Sequence, residues 1–205
     1  MKLYYAPGAC SLSPHIVLRE AGVPVELARV DLATKKLESG DDFGTVNEKG
    51  YVPALVLDNG EVLTEGPAII QYIADQKPQS GLAPKAGTLE RYRLQEWLNF
   101  IATEIHKSFS PLFNKAASDD WKQAATANLS KRFDYLSTRL ADKSYLLGEK
   151  FSVADAYLFT VLNWTGFVGI DLSRWPVLKA YHARVAARPR VQEALQAEGL
   201  LKAAA

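Results

Sequence analysis

Cysteine is nearly missing from this sequence: one residue, Cys10, among 205. A lone cysteine closes no disulfide within the chain and builds no cysteine-based zinc site. Histidine is almost as scarce, and His15, His106 and His182 lie too far apart for a local metal motif. A surplus of charge is missing too. Lys and Arg number 24 and Asp and Glu 23, a net +1, which excludes the basic footprint of a nucleic-acid binder. No run approaches the roughly 18 apolar residues of a membrane span. The opening Met1-Lys2-Leu3-Tyr4-Tyr5-Ala6-Pro7-Gly8 lacks the apolar stretch of a signal peptide. What is present is an ordinary globular mix, 48% hydrophobic and 23% charged. The expectation is a soluble, cytoplasmic protein of one domain or two small ones, with neither membrane nor nucleic acid as a partner.

The first 75 residues mix short strands and helices. Lys2 to Ala6 reads as a strand, and Pro14 to Ala21 as a helix stopped by Gly22. Pro14 suits the first helical position, with Ser13 as its cap. Val25 to Val30 alternates like a half-buried strand. Gly40 to Asn47 is ambiguous. Pro53 to Leu57 is an apolar strand, Asn59-Gly60 a hairpin signal, and Val62-Leu63 the return strand. Glu65 to Gln76 reads as a helix with Ile69, Ile70 and Ile73 inward. Pro and Gly then cluster through Gly87 as a linker.

Beyond the linker the period is helical throughout. Thr88 to about Phe113 places Leu94, Leu98, Ile101, Ile105 and Phe109 on one face, and Asp119 to Leu140 continues through Leu129, Phe133, Leu136 and Leu140. Ser152 and Asp155 have the spacing of a capping box at the start of another helix, with aspartate's reach shorter than glutamate's. Two more helices follow near 176–188 and 191–198.

Cys10 carries the sharpest chemistry. It lies between the first strand and the first helix, where free N–H groups and the helix dipole favour thiolate. The string Cys10-Ser11-Leu12-Ser13 is C-x-x-S, so a disulfide formed at Cys10 has no resolving partner and needs an external thiol for release. The competing reading is a small, inert, buried residue. Val52-Pro53 precedes a buried strand. A cis bond there turns the Val52 N–H and C=O outward to pair with a peptide-like ligand, whereas a trans proline is simply a strand start. Glu65-Gly66 opens a helix, where free N–H groups receive a carboxylate, Gly66 permits close approach and Glu65 holds an ammonium. Simple capping is the alternative.

Asn99 and His106 are seven residues apart, about 20° around a regular helix, with Thr103 between them. That polar row reads either as a cleft wall or as a solvated face. Phe109, Phe113 and Trp164 read either as a hydrophobic substrate pocket or as core.

Taken in order, these motifs resemble a cytosolic glutathione transferase over essentially the whole chain: Cys10 at a helix start, Tyr51-Val52-Pro53-Ala54-Leu55, Glu65-Gly66, a linker, and a helical half with Ser152-x-x-Asp155. The opening Tyr4-Tyr5-Ala6-Pro7-Gly8-Ala9-Cys10-Ser11 and His106 are most similar to the bacterial beta class. The resemblance implies an α/β plus all-α fold: a thioredoxin-like glutathione-binding domain over 1–77, a linker over 78–87 and an all-helical domain over 88–205.

The resemblance also assigns roles. Cys10 meets the glutathione sulfur and can hold it as a mixed disulfide. Val52, ahead of cis Pro53, pairs its backbone with the cysteinyl unit, and Ala9 and Tyr51 flank these positions. Glu65 and Gly66 take the γ-glutamyl end. The family often carries serine where this chain has Gly66, so here a hydroxyl is missing and the backbone N–H remains. Lys35, with Lys36 beside it, lies near the glycyl carboxylate. His106 lies near the sulfur, and Asn99 belongs to the ligand site. Tyr5 resembles in rough position the catalytic tyrosine of other classes, with strand packing as its competing role, and Ser11 is a similar second candidate. The expected activity is conjugation of the glutathione thiol to a small hydrophobic electrophile in a homodimer. Glutathione is the co-substrate, with no other cofactor and no metal. Thiol–disulfide exchange through Cys10 and non-catalytic binding of glutathione or apolar ligands are the competing readings.

Overall fold

A computed structural model describes residues 1–201. The chain forms two compact units, Met1–Ala83 together with the segment from Ala187 onward, and Pro84–Ala186. In the first unit five strands form a mixed sheet: β1 (Lys2–Tyr5), β2 (Glu26–Asp31), β3 (Lys36–Leu37), β4 (Ala54–Val56) and β5 (Val62–Thr64), ordered β3-β2-β1-β4-β5. β1 and β2 are parallel, in register Leu3 to Leu27, and the remaining pairs are antiparallel. The parallel pair needs a crossover, and α1 (Leu12–Glu20) supplies it. Alternation in β1 sends Leu3 to one face and Tyr4 to the other, where Tyr4 joins Ala6, Val30, Phe43, Val52 and Ala54 in an apolar cluster. α2 (Gly66–Gln76) buries Ile69, Ile70, Ile73 and Ala74, the stripe its period requires. At the β4–β5 hairpin only Gly60 takes a positive φ, 86°, and its N–H donates to the Leu57 carbonyl.

The second unit is helical: α3 (Leu89–Phe100), α4 (Ser110–Phe113), α5 (Asp119–Leu140), α6 (Val153–Phe167) and α7 (Pro176–Ala186). α6 is buried almost all round, so it is the core of the unit. The Ser152–Asp155 box closes despite the shorter side chain: the Asp155 carboxylate accepts from the Ser152 N–H at 2.9 Å and the Ser152 hydroxyl at 2.7 Å. Its other oxygen accepts from the Leu146 N–H and the Tyr181 hydroxyl, each at 2.9 Å. Burial pushes the Asp155 carboxyl above the usual carboxylate range, and these donors work against that rise.

Two local expectations change. α1 starts at Leu12, not Pro14, and its N-cap position is Ser11. Ser13, expected as the cap, lies inside the helix with a fully buried hydroxyl that bonds to no described residue. The long helix expected from Thr88 to Phe113 breaks into α3, a π turn over Ile101–His106, a 3₁₀ turn over Lys107–Phe109 and α4. Its buried stripe nonetheless survives: Leu94, Leu98, Ile101, Ile105 and Phe109 are all interior.

The helix expected to finish the helical half, α8 (Pro189–Ala197), packs on α1 of the first unit. Ahead of it the Arg188 guanidinium pairs with the Glu20 carboxylate at 2.7 Å. An apolar stripe such as Val191, Ala194 and Leu195 shows that a helix face is covered, not which element covers it.

Candidate active site

Cys10 lies two residues before α1 and is half-buried. Its thiol donates to the Val52 carbonyl at 3.2 Å. That contact is open to a thiol and closed to a thiolate. The turn leading to Cys10 is fixed from three sides. The Ala9 N–H donates to the Ala6 carbonyl at 3.0 Å. The buried Ser11 hydroxyl accepts from the Ala6 N–H at 3.1 Å and lies 3.2 Å from the Ala6 carbonyl. The Gly8 N–H donates to Glu198 Oε2 at 2.9 Å. The Ser11 hydroxyl is therefore engaged in holding the turn.

Glu198 is a residue the sequence reading missed. Its second oxygen lies 2.8 Å from His15 Nδ1, and both side chains are fully buried. The His15 ring in turn packs 6.2 Å from the ring of Tyr5. Burial raises the Tyr5 phenol above its ordinary value, reinforced by the charges of Glu198 and Glu38. Tyr5 therefore stays protonated, with its ring against that of His15.

The Val52–Pro53 peptide is cis. Of the two Val52 backbone groups expected to face a ligand, the carbonyl is engaged by Cys10, while the N–H bonds to no described residue. The loop before it is organised by Asn47, a buried residue the sequence did not single out. Its amide donates to the Tyr51 carbonyl at 2.7 Å and accepts from the Lys49 N–H at 3.2 Å.

Glu65 holds a φ of 67°, a conformation that costs a non-glycine residue about 1–3 kcal/mol. Its carbonyl accepts from the Ala68 and Ile69 N–H groups, and Pro67 has none to offer, so the Gly66 N–H is left as the anion donor at this helix start. The Glu65 carboxylate accepts from Lys49 Nζ at 2.6 Å and the Tyr51 hydroxyl at 3.0 Å. The hydrogen bonds to this carboxylate, reinforced by its charge, raise both the Lys49 ammonium and the Tyr51 phenol above their usual ranges. Lys35 is exposed and also left-handed, φ 58°, at the end of a turn closed by the Asp31 carboxylate on the Ala33 and Thr34 N–H groups. Those two donors hold Asp31 below its usual range. Lys36 lies in β3 beside an open groove that also includes Arg29, Asp31 and Glu38.

In the second unit His106 ends the π turn. Its Nδ1 lies 2.7 Å from the buried Tyr157 hydroxyl, and its ring meets Trp164 edge-on at 4.7 Å. Asn99 and Thr103 are exposed, and the Thr103 hydroxyl donates back to the Asn99 carbonyl at 3.0 Å. The wider i→i+5 turn advances each residue by less than a regular helix does. The polar row expected at about 20° is accordingly splayed. Phe113 is half exposed, and Trp164 is nearly buried behind it. Phe109 is fully buried and stacks edge-on to Trp164 at 5.5 Å, so it backs that surface instead of lining it. Among the described residues no group of three or more His, Cys, Asp or Glu is placed to hold a metal, and no helix is long and apolar enough to cross a membrane.

A thioredoxin-like unit with its thiol at a helix start, followed by an all-helical unit, defines the class. The family descriptions "Glutathione S-transferase, N-terminal domain" and "Glutathione S-transferase, C-terminal domain" match residues 8–76 and 100–189. The glutathione S-transferase GstA of Escherichia coli O157:H7 is 50% identical over 200 residues, covering 98% of this chain and all of that one. A beta-class glutathione S-transferase from Sphingomonas chungbukensis superposes with a TM-score of 0.95 at 56% identity, over 98% of this chain and all of that one. A sphingomonad glutathione S-transferase solved with glutathione superposes at 0.94 and 53% identity, with the same coverage. The chain belongs to the glutathione S-transferase family, and its likeness is to the bacterial beta class.

Proposed function

We propose that this protein joins the thiol of glutathione to small hydrophobic electrophiles. The observation that carries the reading is the Cys10 thiol on the Val52 carbonyl, beside a Val52 N–H that bonds to no described residue, in a chain of this family. Val52 is assigned to the cysteinyl backbone, with Ala9, Tyr51 and Pro53 shaping that edge. Gly66 N–H and the α2 dipole take the γ-glutamyl carboxylate, Glu65 takes its ammonium, and Lys35 takes the glycyl carboxylate. From the second unit, His106 is assigned to the sulfur, Asn99 and Thr103 to the ligand, and Phe113 and Trp164 to the electrophile.

Ligand sulfur within reach of Cys10 replaces the Val52 carbonyl as the partner of that thiol. A thiol donating to a thiolate stabilises the anion. Moving a thiol from near 8.5 towards 7 needs about 2 kcal/mol of such stabilisation. The sulfur lone pair then forms the S–C bond, the leaving group departs with its bonding electrons, and the thiol proton passes to solvent. The same site supports thiol–disulfide exchange, because Cys10 is half-buried and has no resolving cysteine. Cys10 attacks a glutathione mixed disulfide and releases the substrate thiol. Reduced glutathione then attacks in turn, leaving as oxidised glutathione and restoring Cys10. We further propose a cytoplasmic homodimer, for which light scattering after size exclusion is the check.

The test is titration calorimetry with reduced glutathione, followed by conjugation and thiol-transfer assays on wild type and Cys10→Ser. Saturable binding is expected in the micromolar-to-millimolar range, with thiol transfer lost in the variant and conjugation retained in part. Absence of binding overturns the reading.

A further inference from the structure

The proposed ligand brings an ammonium to Glu65, and the protein already has one there. Lys49 Nζ lies 2.6 Å from Glu65 Oε1 and 3.0 Å from the Thr64 hydroxyl, above the Tyr51 ring at 5.9 Å from its centroid. The Tyr51 hydroxyl donates to the same carboxylate oxygen. A primary ammonium held by a carboxylate, a hydroxyl and an aromatic face is what an α-amino group would meet at this position. The placement is built by the backbone. Asn47 ties down both Lys49 and Tyr51 through their main chains, and the left-handed φ of Glu65 aims its carboxylate from the start of α2.

We propose that Lys49 is an internal competitor for the γ-glutamyl ammonium, so that glutathione must displace its side chain from Glu65 to bind. The inference rests on the assignment of Glu65 to that ammonium and adds a determinant of affinity to it. Lys49 and Glu65 are both about half exposed. An exposed ion pair of this kind is weak and screened by salt, so it slows no release and blocks no entry. It lowers affinity by the small cost of breaking it. Lys49 Nζ and the Tyr51 hydroxyl already lie on Oε1, and a second ammonium brought to that carboxylate meets the positive charge of the first, so the two compete for it.

The experiment compares wild type with Lys49→Met, which keeps the stem and removes the charge. Both are titrated with glutathione and with its analogue in which hydrogen replaces the γ-glutamyl α-amino group. Wild type is expected to bind glutathione more tightly than the analogue. Lys49→Met is expected to bind glutathione about two- to fivefold more tightly than wild type, with little change for the analogue. Equal gains for both ligands, no gain, or weaker binding of glutathione overturns the proposal. Equal affinity of wild type for the two ligands overturns instead the assignment of Glu65. Lys49→Arg, which keeps the charge, should behave as wild type; a gain there equal to that of Lys49→Met also counts against competition by charge.

Discussion

Replacing Gly66 by serine tests the proposed helix-start site directly. A Cβ built at Gly66 meets only Pro53 Cγ at 3.9 Å and the Ser13 hydroxyl at 4.0 Å, ordinary contact distances, and the residue is not left-handed. The side chain therefore enters without displacing anything. Two effects follow, and they separate cleanly. Losing glycine's freedom in the unfolded chain stabilises the free protein by about 0.4–1 kcal/mol, or roughly 1–4 °C in Tm for a chain of this size. The hydroxyl also stands beside the Gly66 N–H, at the proposed seat of the γ-glutamyl carboxylate. A neutral donor on a carboxylate contributes about 1–1.5 kcal/mol at a partly exposed site, roughly five- to tenfold in Kd. Calorimetry with glutathione and a thermal melt without it measure the two terms. Unchanged or weaker affinity in a variant as stable as wild type would refute the placement of that carboxylate.

Glu198→Ala takes the buried carboxylate away from His15 and the Gly8 N–H. Each buried donor that loses this carboxylate costs about 1–3 kcal/mol, so Tm should fall by at least about 4 °C. Glu198→Gln should recover part of the loss; a melt within 2 °C or so of wild type would count against the clasp. His182 lies in the second unit, with Nε2 2.6 Å from the Asn163 side-chain oxygen and its ring stacked on Phe159. Burial holds it below its usual value of 6.5. The folded state thus binds fewer protons than the unfolded chain, and stability is full above 6.5 and falls as pH drops towards the folded value. Between pH 7.5 and 5.5 wild type should lose up to about 1 kcal/mol more than His182→Gln in denaturant unfolding. Parallel losses would show that His182 titrates normally.

What could be read in advance was local. Alternation in Lys2 to Tyr5, the triad of isoleucines in α2, the stripe of α5 and the Ser152–Asp155 box each write their structure within a few residues of sequence. Cys10, Val52-Pro53 and Glu65-Gly66 were visible for the same reason, since each marks a junction between elements. The π turn had no such mark, because an i→i+5 bond changes the winding and leaves the apolar spacing intact. Asn47 and Glu198 were invisible because a lone polar residue is informative only when its burial is known. The thiol-to-carbonyl contact of Cys10 joins residues 42 positions apart, and nothing near either announces the other.

The docking of α8 on α1 makes the first unit discontinuous in sequence. The contiguous stretch Pro84–Ala186 carries its own core and can close as soon as it has been synthesised. The turn before Cys10 cannot. Its Gly8 anchor and its Glu198 acceptor are 190 residues apart, and contacts that distant form late. During synthesis the thiol-bearing turn therefore leaves the ribosome ahead of the helical unit and acquires its clasp only after that unit and α8 have followed it. A nascent chain stopped before α8 should carry a finished helical unit and an unfinished reactive one, so that maturation of the thiol site waits on α8.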